Sequence, residues 1–155
     1  MLLVDQIESP IGTIHLAVRG DALVELAFDT PIAGERKKTP ASARVRAYFD
    51  GDVHALDAIE VDPDGTPFQK SVWSLLREIP VGETRSYGQL AKRLGSSARA
   101  IGSANRTNPI ALVIPCHRVI AADGTLCGYA GGLDRKRWLL QHEATSLQPA
   151  LVLAP

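Results

Sequence analysis

The residues best suited to chemistry stand in one run, Ile114-Pro115-Cys116-His117-Arg118-Val119. A thiolate is a soft nucleophile, and an imidazole beside it can take up the thiol proton. The preceding apolar residues Ala111-Leu112-Val113 predict a buried strand, which Pro115 should end because proline has no backbone donor. Neighbouring side chains of an extended chain point in opposite directions, so His117 would need a turn or a bridging water to reach Cys116. On this adjacency alone, an inert buried cysteine explains the run equally well.

A carboxylate can complete such a relay, because it orients the imidazole and stabilises its charged form. The acidic residues that follow Cys116 in the sequence are Asp123, Asp134 and Glu143. Asp123 lies in an Asp-Gly turn and Asp134 begins a predicted helix, whereas Glu143 at the end of that helix has no such local role. Glu143 is therefore the candidate partner of His117.

The net charge of zero conceals an uneven distribution of charged residues. Residues 1–65 carry 6 Lys and Arg against 12 Asp and Glu, and residues 66–155 carry 11 against 5. A basic half is typical of a segment that meets a polyanion such as DNA. Attraction between two oppositely charged halves would give the same pattern, so charge by itself leaves nucleic-acid binding open.

The composition is that of an ordinary globular chain of 155 residues, 45% hydrophobic and 22% charged. This length suffices for one domain, or two small ones, with a real core. No apolar run approaches the roughly 18 residues of a membrane helix, and no signal peptide is recognisable. Two cysteines, Cys116 and Cys127, are too few for a disulfide framework, which favours a reducing compartment and predicts a cytoplasmic location.

The first half of the chain is predicted to mix strands with one helix. Alternating apolar residues within residues 11–18 and a second apolar run over residues 23–28 predict two strands. A helix is expected over residues 41–49, and residues 53–61 are expected to add a strand. The stretch Asp62-Pro63-Asp64-Gly65 is the best candidate for a domain boundary, and it divides the chain into residues 1–65 and 66–155.

The second half has sharper helix signals. Thr66-Pro67 predicts a helix start, and apolar residues then keep helical spacing up to Pro80. Ser86 is predicted to cap a second helix that Gly95 ends, and Ser97 to cap a third over residues 98–105. Such a pair of short helices is typical of a helix-turn-helix. A last helix is expected over residues 133–143, followed by a loose tail over residues 144–155.

The third of these helices has a composition suited to close contact with another surface. Its small residues are Ala98, Ala100, Gly102, Ser103 and Ala104. Its long polar side chains are Arg99, Asn105 and Arg106, and Ile101 is its one large apolar residue. A nucleic-acid contact is therefore favoured over tight internal packing. The second half of the chain is basic and contains a predicted helix-turn-helix. A thiol in this setting suits direct displacement at an sp³ carbon on a nucleic-acid base better than peptide hydrolysis.

Residues 66–143 resemble the O6-alkylguanine-DNA alkyltransferases, repair proteins that take an alkyl group from guanine onto a cysteine in a single turnover. The core of the resemblance is Pro115-Cys116-His117-Arg118-Val119. Other matches at the family's spacing are Ser86-Tyr87-Gly88-Gln89-Leu90, Ala98-Arg99-Ala100, Asn108-Pro109, Tyr129 and Glu143. The resemblance implies an α/β (α+β) fold. A small N-terminal α/β domain with an antiparallel, ribonuclease H-like sheet would precede a mainly helical C-terminal domain with a winged helix-turn-helix.

The resemblance also implies roles around the cysteine. Cys116 would be the nucleophile and alkyl acceptor, activated through a water by His117, with Glu143 as the partner of the imidazole. Asn108 would hold the recognition helix, predicted over residues 98–105, against the active-site turn at Cys116. Tyr87 would help to turn the target phosphate and would donate to guanine N3, so that guanine leaves neutral. No cofactor is implied.

On the DNA side, Arg99 would enter the duplex and fill the gap left by the extruded base. Further DNA contacts are expected from Ser97, Asn105 and Arg106. Val119, Tyr129 and Ala130 would line the pocket, with the backbone carbonyls of Cys116 and Val119 reading the guanine amino group. The implied partner of a monomer is double-stranded DNA containing O6-alkylguanine, bound through the minor groove, with O4-methylthymine as a second substrate and no membrane involved.

Two other functions are compatible with parts of this pattern. Alkyltransferase-like proteins bind lesions with the same scaffold but lack the acceptor cysteine, so Cys116 counts against them. A cysteine hydrolase using Cys116 and His117 would need an oxyanion hole, which no motif announces. The zinc site of some relatives is not expected, because the first half has no cysteine and His15 and His54 alone are insufficient. Cys127 is expected to be incidental.

Overall fold

A computed structural model describes residues 2–147 of the chain. The strands of the main sheet are β1 (Leu3–Ser9), β2 (Gly12–Arg19), β3 (Ala22–Phe28) and β4 (Glu35–Arg36). The first three form an antiparallel meander, and β4 pairs in parallel with β1, giving the order β3-β2-β1-β4. The helices are α1 (Pro40–Phe49), α2 (Pro67–Arg77), α3 (Tyr87–Leu94), α4 (Ala98–Arg106) and α5 (Leu133–Leu147). The predicted mixture of an antiparallel sheet with helices is confirmed.

The meander forms where apolar residues alternate along the chain. Ile14, Leu16 and Val18 of β2 are all buried against the core, as their spacing of two residues predicts. The strand expected over residues 53–61 is wrong: this stretch contains a 3₁₀ turn at Ala55–Ala58 and only a single bridge to the sheet. The turn has no β-branched residue, and its backbone hydrogen bonds are local.

The helices begin where the sequence places their caps. Thr66, Ser86 and Ser97 each accept a hydrogen bond from the backbone N–H three residues later, an interaction that stabilises a helix by about 1 kcal/mol. Gly95 ends α3 in the left-handed conformation, which glycine adopts without strain. The helix starts and the stop at Gly95 are thus confirmed.

The last helix is longer than expected. It continues to Leu147, whose side chain packs against Gly82 at a place where a Cβ atom would overlap Cδ1 of Leu147. This tertiary contact extends the helix through residues 144–147, where a loose tail was the expectation. The rest of that tail, residues 148–155, lies outside the described residues.

The core is continuous between the two halves of the chain. The backbone N–H of Leu26 in β3 donates to the carbonyl of Pro109 at 2.9 Å, and Ile110 forms an isolated bridge with the same strand. The two-domain division at residues 62–65, the ribonuclease H-like topology and the winged form of the helix-turn-helix stay predictions. Each helix within residues 2–147 is too short or too polar to span a bilayer.

Candidate active site

Cys116 lies at the start of a buried turn and not at the end of a strand. After the single bridge at Ile110, the chain reverses through Leu112, whose φ of 72° is left-handed, and Ile114 donates back to the carbonyl of Ile110. Prolines at positions 109 and 115 have no backbone donors, and the N–H groups of Val113 and Ile114 donate to Ala111 and Ile110 within the segment, so these groups do not pair with a neighbouring strand. The strand expected at residues 111–113 is therefore wrong, although Leu112 and the residues after it are buried as expected.

The cysteine turn is fixed to the start of α3. Residues Cys116–Arg118 form a 3₁₀ helix, and the following strand β6 (Val119–Ile120) pairs in parallel with β5 (Arg85–Ser86). Because Ser86 caps α3, this pairing carries Tyr87 into the neighbourhood of the cysteine turn. Cys116 itself is only 4% exposed.

Glu143 is the centre of a buried hydrogen-bond network. Its Oε2 lies 2.8 Å from Nε2 of His117, so the contact expected between these residues is present in the structure. Arg118 donates from Nε to Oε1 at 2.9 Å and from Nη2 to Oε2 at 3.0 Å, and the hydroxyl of Tyr48 donates to Oε2 at 2.7 Å. The side chain of Glu143 is fully buried, so this carboxylate is compensated entirely by protein groups.

The network determines which nitrogen of His117 carries a proton. Because Oε2 of a carboxylate only accepts, Nε2 must carry the hydrogen in the neutral ring, which leaves Nδ1 as an acceptor. Nδ1 is buried and has no hydrogen-bond partner in the described part of the chain. The imidazole therefore presents a free base on the side away from Glu143.

The protonation states at rest suit a base and its thiol. Burial raises the pKa of the Cys116 thiol, although Asn108 and Lys136 partly offset this effect. Burial lowers the pKa of His117, although Glu143 opposes it. Burial alone would raise the pKa of Glu143, but His117 and Arg118 together outweigh it and hold this pKa below its usual range. Before reaction, Cys116 is therefore a neutral thiol, His117 is a neutral imidazole and Glu143 is an anionic carboxylate.

Folding stability is expected to fall as the pH drops below about 6.5, the ordinary pKa of histidine. Because the pKa of His117 is lowered in the folded protein, the unfolded chain takes up this proton first. The stability that neutral His117 contributes is complete above the pKa that this histidine has in the unfolded chain. It is lost as the pH falls through the lower pKa that His117 has in the folded protein. Urea unfolding at a series of pH values would measure it, and His117→Gln should lose less stability on acidification. Identical losses in both proteins would contradict this assignment.

Two asparagines, one in α4 and one just after it, tie this helix to the cysteine turn. Asn108 donates from Nδ2 to the carbonyl of Ile114 at 2.9 Å and accepts from the N–H of Ile110 at 2.9 Å, consistent with the expected linking position. Asn105 does not lie where a DNA contact was expected. It is 5% exposed, and its Nδ2 lies 3.3 Å from the carbonyl of Cys116. The physical reason is helical periodicity, since position 105 lies one turn after buried Ile101.

The opposite face of α4 is open to solvent. Ser97, Arg99 and Arg106 are exposed, and Ser97 also caps the helix through its Oγ, which accepts from the N–H of Ala100. The helix thus both packs internally, through Ile101 and its neighbours, and presents two guanidinium groups to solvent. The sequence favours a nucleic-acid contact over internal packing for this helix, whereas the structure shows that one face packs internally and the other is exposed.

The expected pocket residues differ in their exposure to solvent. Tyr129 is half-buried beside Phe28 of β3, with 6.5 Å between ring centroids, and burial raises its pKa well above the ordinary value. Ala130 is exposed and Val119 is buried. The hydroxyl of Tyr87 donates to the carbonyl of Cys127 at 3.2 Å, which places it at the loop that leads to Tyr129.

Lys136 is a functional candidate that sequence reasoning missed. Its side chain is fully buried, and its Nζ donates to the carbonyls of Val119 at 2.5 Å, Cys127 at 3.0 Å and Gly128 at 3.2 Å. The ammonium thus joins the loop that contains Cys127 and Gly128 to Val119, the residue after the cysteine turn. It already occupies one lone pair of the Val119 carbonyl, which is expected to bind the guanine amino group. A signal was available, because Lys136 and Glu143 lie seven residues apart on the same helical stripe as Leu139.

Tyr48 and Arg118 were also missed as partners of Glu143. Arg118 is buried, binds Glu143 through two hydrogen bonds and donates from Nη1 to the carbonyl of Ile79 at 2.9 Å, which indicates a structural role. No local pattern marks Tyr48, because it is separated from Glu143 by 95 residues. The described residues contain no cluster of three or more His, Cys, Asp or Glu side chains that could hold a metal ion.

Comparison with known proteins gives one consistent result. Residues 67–145 match the family "6-O-methylguanine DNA methyltransferase, DNA binding domain". A methylated-DNA–protein-cysteine methyltransferase of Methanosarcina acetivorans is 46% identical over 150 residues, covering 89% of this chain and 96% of the relative.

Solved structures extend the match to the fold. The O6-methylguanine methyltransferase of Mycobacterium tuberculosis superposes with a TM-score of 0.83 at 40% identity, covering 99% of each chain. A structure of the Mycobacterium tuberculosis protein OGT in complex with DNA superposes with a TM-score of 0.82 at 41% identity, covering 93% of this chain and 94% of that one. Since sequence and fold agree over nearly the whole length, the chain belongs to the methylated-DNA–protein-cysteine methyltransferase family.

Proposed function

We propose that this protein repairs DNA directly, by irreversible transfer of the alkyl group of O6-alkylguanine to Sγ of Cys116. One S–C bond forms as the C–O6 bond breaks, and the electron pair of that bond stays with guanine. Guanine gains the proton that the thiol loses, so the products are neutral. The thioether has no route back to a thiol in this reaction, and each molecule acts once.

The observation that carries this proposal is the buried relay from Glu143 to His117 beside Cys116. A thiol with a raised pKa needs a base, and His117 offers a neutral Nδ1 for that purpose. Glu143 stabilises the imidazolium that forms when the proton is taken up. In the proposed route, the thiol proton passes from Sγ of Cys116 to Nδ1 of His117 through a bridging water.

The DNA partner of the proposal is a duplex bound through the minor groove by α4. The exposed positions of Ser97, Arg99 and Arg106 and the small residues of this helix support a close approach to the backbone. On binding, the hydroxyl of Tyr87 would leave the carbonyl of Cys127 and donate to guanine N3, and Val119, Tyr129 and Ala130 would enclose the base. In place of a DNA contact, we assign Asn105 to holding the Cys116 carbonyl. Action as a monomer in the cytoplasm and O4-methylthymine as a second substrate complete the proposal.

Replacing Arg99 by alanine is expected to slow repair of paired duplex about tenfold or more while affecting single strands much less. The exposed guanidinium would fill the space of the extruded base, and extrusion costs a few kcal/mol only when the base is stacked and paired. Single-turnover rates on both substrates would measure the ratio. Arg93→Ala on α3, which removes an exposed arginine outside the proposed contact, is the matched control. Equal losses on duplex and single strand would remove Arg99 from the extrusion step.

Loss of the lesion from DNA tests the function as a whole. A duplex with one O6-methylguanine, mixed with increasing protein, should show unmodified guanine in strict proportion to the protein added. Binding without any loss of the lesion would indicate an alkyltransferase-like protein. Multiple turnovers, or hydrolysis of a peptide or ester substrate, would indicate a hydrolase.

A further inference from the structure

We infer that Tyr48 is a positioning residue for alkyl transfer, acting through Glu143 on the proton-accepting strength of His117. The inference rests on the proposed function of the Cys116 site. Tyr48 belongs to α1, in the first half of the chain, and its side chain is fully buried. Its hydroxyl donates to Oε2 of Glu143 at 2.7 Å, the shortest of the contacts that this carboxylate receives.

The hydroxyl competes with His117 for a single oxygen atom. Among residues 2–147, Oε2 accepts from Tyr48, from His117 and from Nη2 of Arg118, whereas Oε1 accepts from Nε of Arg118 alone. Each donor withdraws electron density from the oxygen it shares. The strength of the hydrogen bond between His117 and Oε2, and therefore the stability of the imidazolium, depends on how much electron density the Tyr48 hydroxyl withdraws from Oε2.

Tyr48 is a permanent donor across the whole working pH range. Burial raises the pKa of its phenol, and the charge of Glu143 raises it further. The other charged or titratable groups that face this network are Arg118 from the cysteine turn, Lys136 and His142 from α5, and Tyr129 from the loop before α5. A change at position 48 therefore alters one neutral donor and leaves the surrounding charges in place.

The tyrosine ring is held independently of its hydroxyl. It meets Phe49 and His142 edge-on, each with 5.1 Å between ring centroids. Nε2 of His142 lies 2.7 Å from the carbonyl of Tyr48, so two consecutive residues of α5 bind the end of α1. Phenylalanine at position 48 can keep these ring contacts, and its effect can be read as the loss of one hydrogen bond.

Removing the hydroxyl should make His117 a stronger base. Oε2 loses one competing donor, becomes a better acceptor for Nε2–H and stabilises the imidazolium more. The pKa of His117 then rises toward its ordinary value, and the protonated, inactive form persists to higher pH. The acid limb of the alkyl-transfer rate is expected to move to higher pH by about half a unit, which lowers the rate on that limb about threefold.

The test measures single-turnover transfer from O6-methylguanine duplex against pH for the wild type, Tyr48→Phe and Ser42→Ala. Ser42→Ala is the matched control, because it removes another buried hydroxyl of α1 that bonds to the carbonyl of Thr39 and not to Glu143. Both variants should lose stability, but only Tyr48→Phe should shift the acid limb. Superimposable pH profiles for the wild type and Tyr48→Phe would overturn the inference.

A second measurement separates this inference from the proposed function and from failure to fold. The His117 imidazole can be titrated by NMR without any substrate, and its pKa should rise in Tyr48→Phe. A fluorinated tyrosine at position 48, a stronger donor that keeps every contact, should shift it downward. Shifts of the same sign, or none, would overturn the role of Tyr48 even if transfer occurs. Opposite shifts in a protein that transfers no alkyl group would overturn the proposed function alone.

Discussion

Replacing Cys116 by serine is expected to abolish alkyl transfer while the fold and DNA binding are retained. A serine hydroxyl is far less acidic than a thiol, and a histidine whose pKa is lowered by burial cannot deprotonate it effectively. Serine is close to cysteine in size, and the site is 4% exposed, so the surrounding packing should change little. Single-turnover transfer and binding of O6-methylguanine duplex, measured on the same preparation, would separate the two properties.

The second cysteine provides the control for this result. Cys127 is exposed and is not disulfide-bonded, so Cys127→Ser should retain one full equivalent of transfer. Residual transfer in Cys116→Ser that disappears in the double variant would show that Cys127 is also an acceptor. That outcome would contradict the assignment of Cys116 as the sole nucleophile.

Replacing Glu143 by glutamine is expected to damage both the relay and the fold. The amide cannot stabilise the His117 imidazolium as a carboxylate does, so transfer should slow by about a hundredfold, the lower range for loss of acid–base assistance. The same change leaves the buried guanidinium of Arg118 without its counter-ion, which typically costs about 3–5 kcal/mol. Rapid-quench transfer rates and urea unfolding would measure the two effects.

A double replacement distinguishes these effects. Adding Arg118→Met to Glu143→Gln removes the unpaired buried charge, and we expect it to recover much of the free energy of unfolding. The rate of transfer should stay low, because the imidazole still lacks its carboxylate. Recovery of the rate together with the stability would show that Glu143 acts only through the fold and has no part in the relay.

Local interactions are the part of this fold that the sequence predicts well. The caps at Thr66, Ser86 and Ser97 act within three residues, and the stop at Gly95 depends on the glycine itself, so each can be recognised without a tertiary context. The match of Glu143 with His117 was also accessible, because few acidic residues follow the cysteine and the others have local roles.

Tertiary contacts explain where the sequence misleads. The apolar stretch before Cys116 is a turn because flanking prolines limit its pairing, although its hydrophobicity alone suits a strand. Asn105 and Asn108 both lie near the end of α4, and only the helical phase of Ile101 shows that Asn105 points inward. Tyr48 looks like an ordinary core aromatic until the distant chain segment that carries Glu143 is placed beside it.

The most direct test of the account is the mass of the protein after exposure to excess duplex containing O6-methylguanine. We expect every molecule to gain one methyl group and no more, with the group on the peptide that contains Cys116. The DNA should contain one restored guanine for each methylated protein, and a second portion of duplex should remain unrepaired. A methyl group on another residue, or continued repair by protein that stays unmodified, would contradict the central claim.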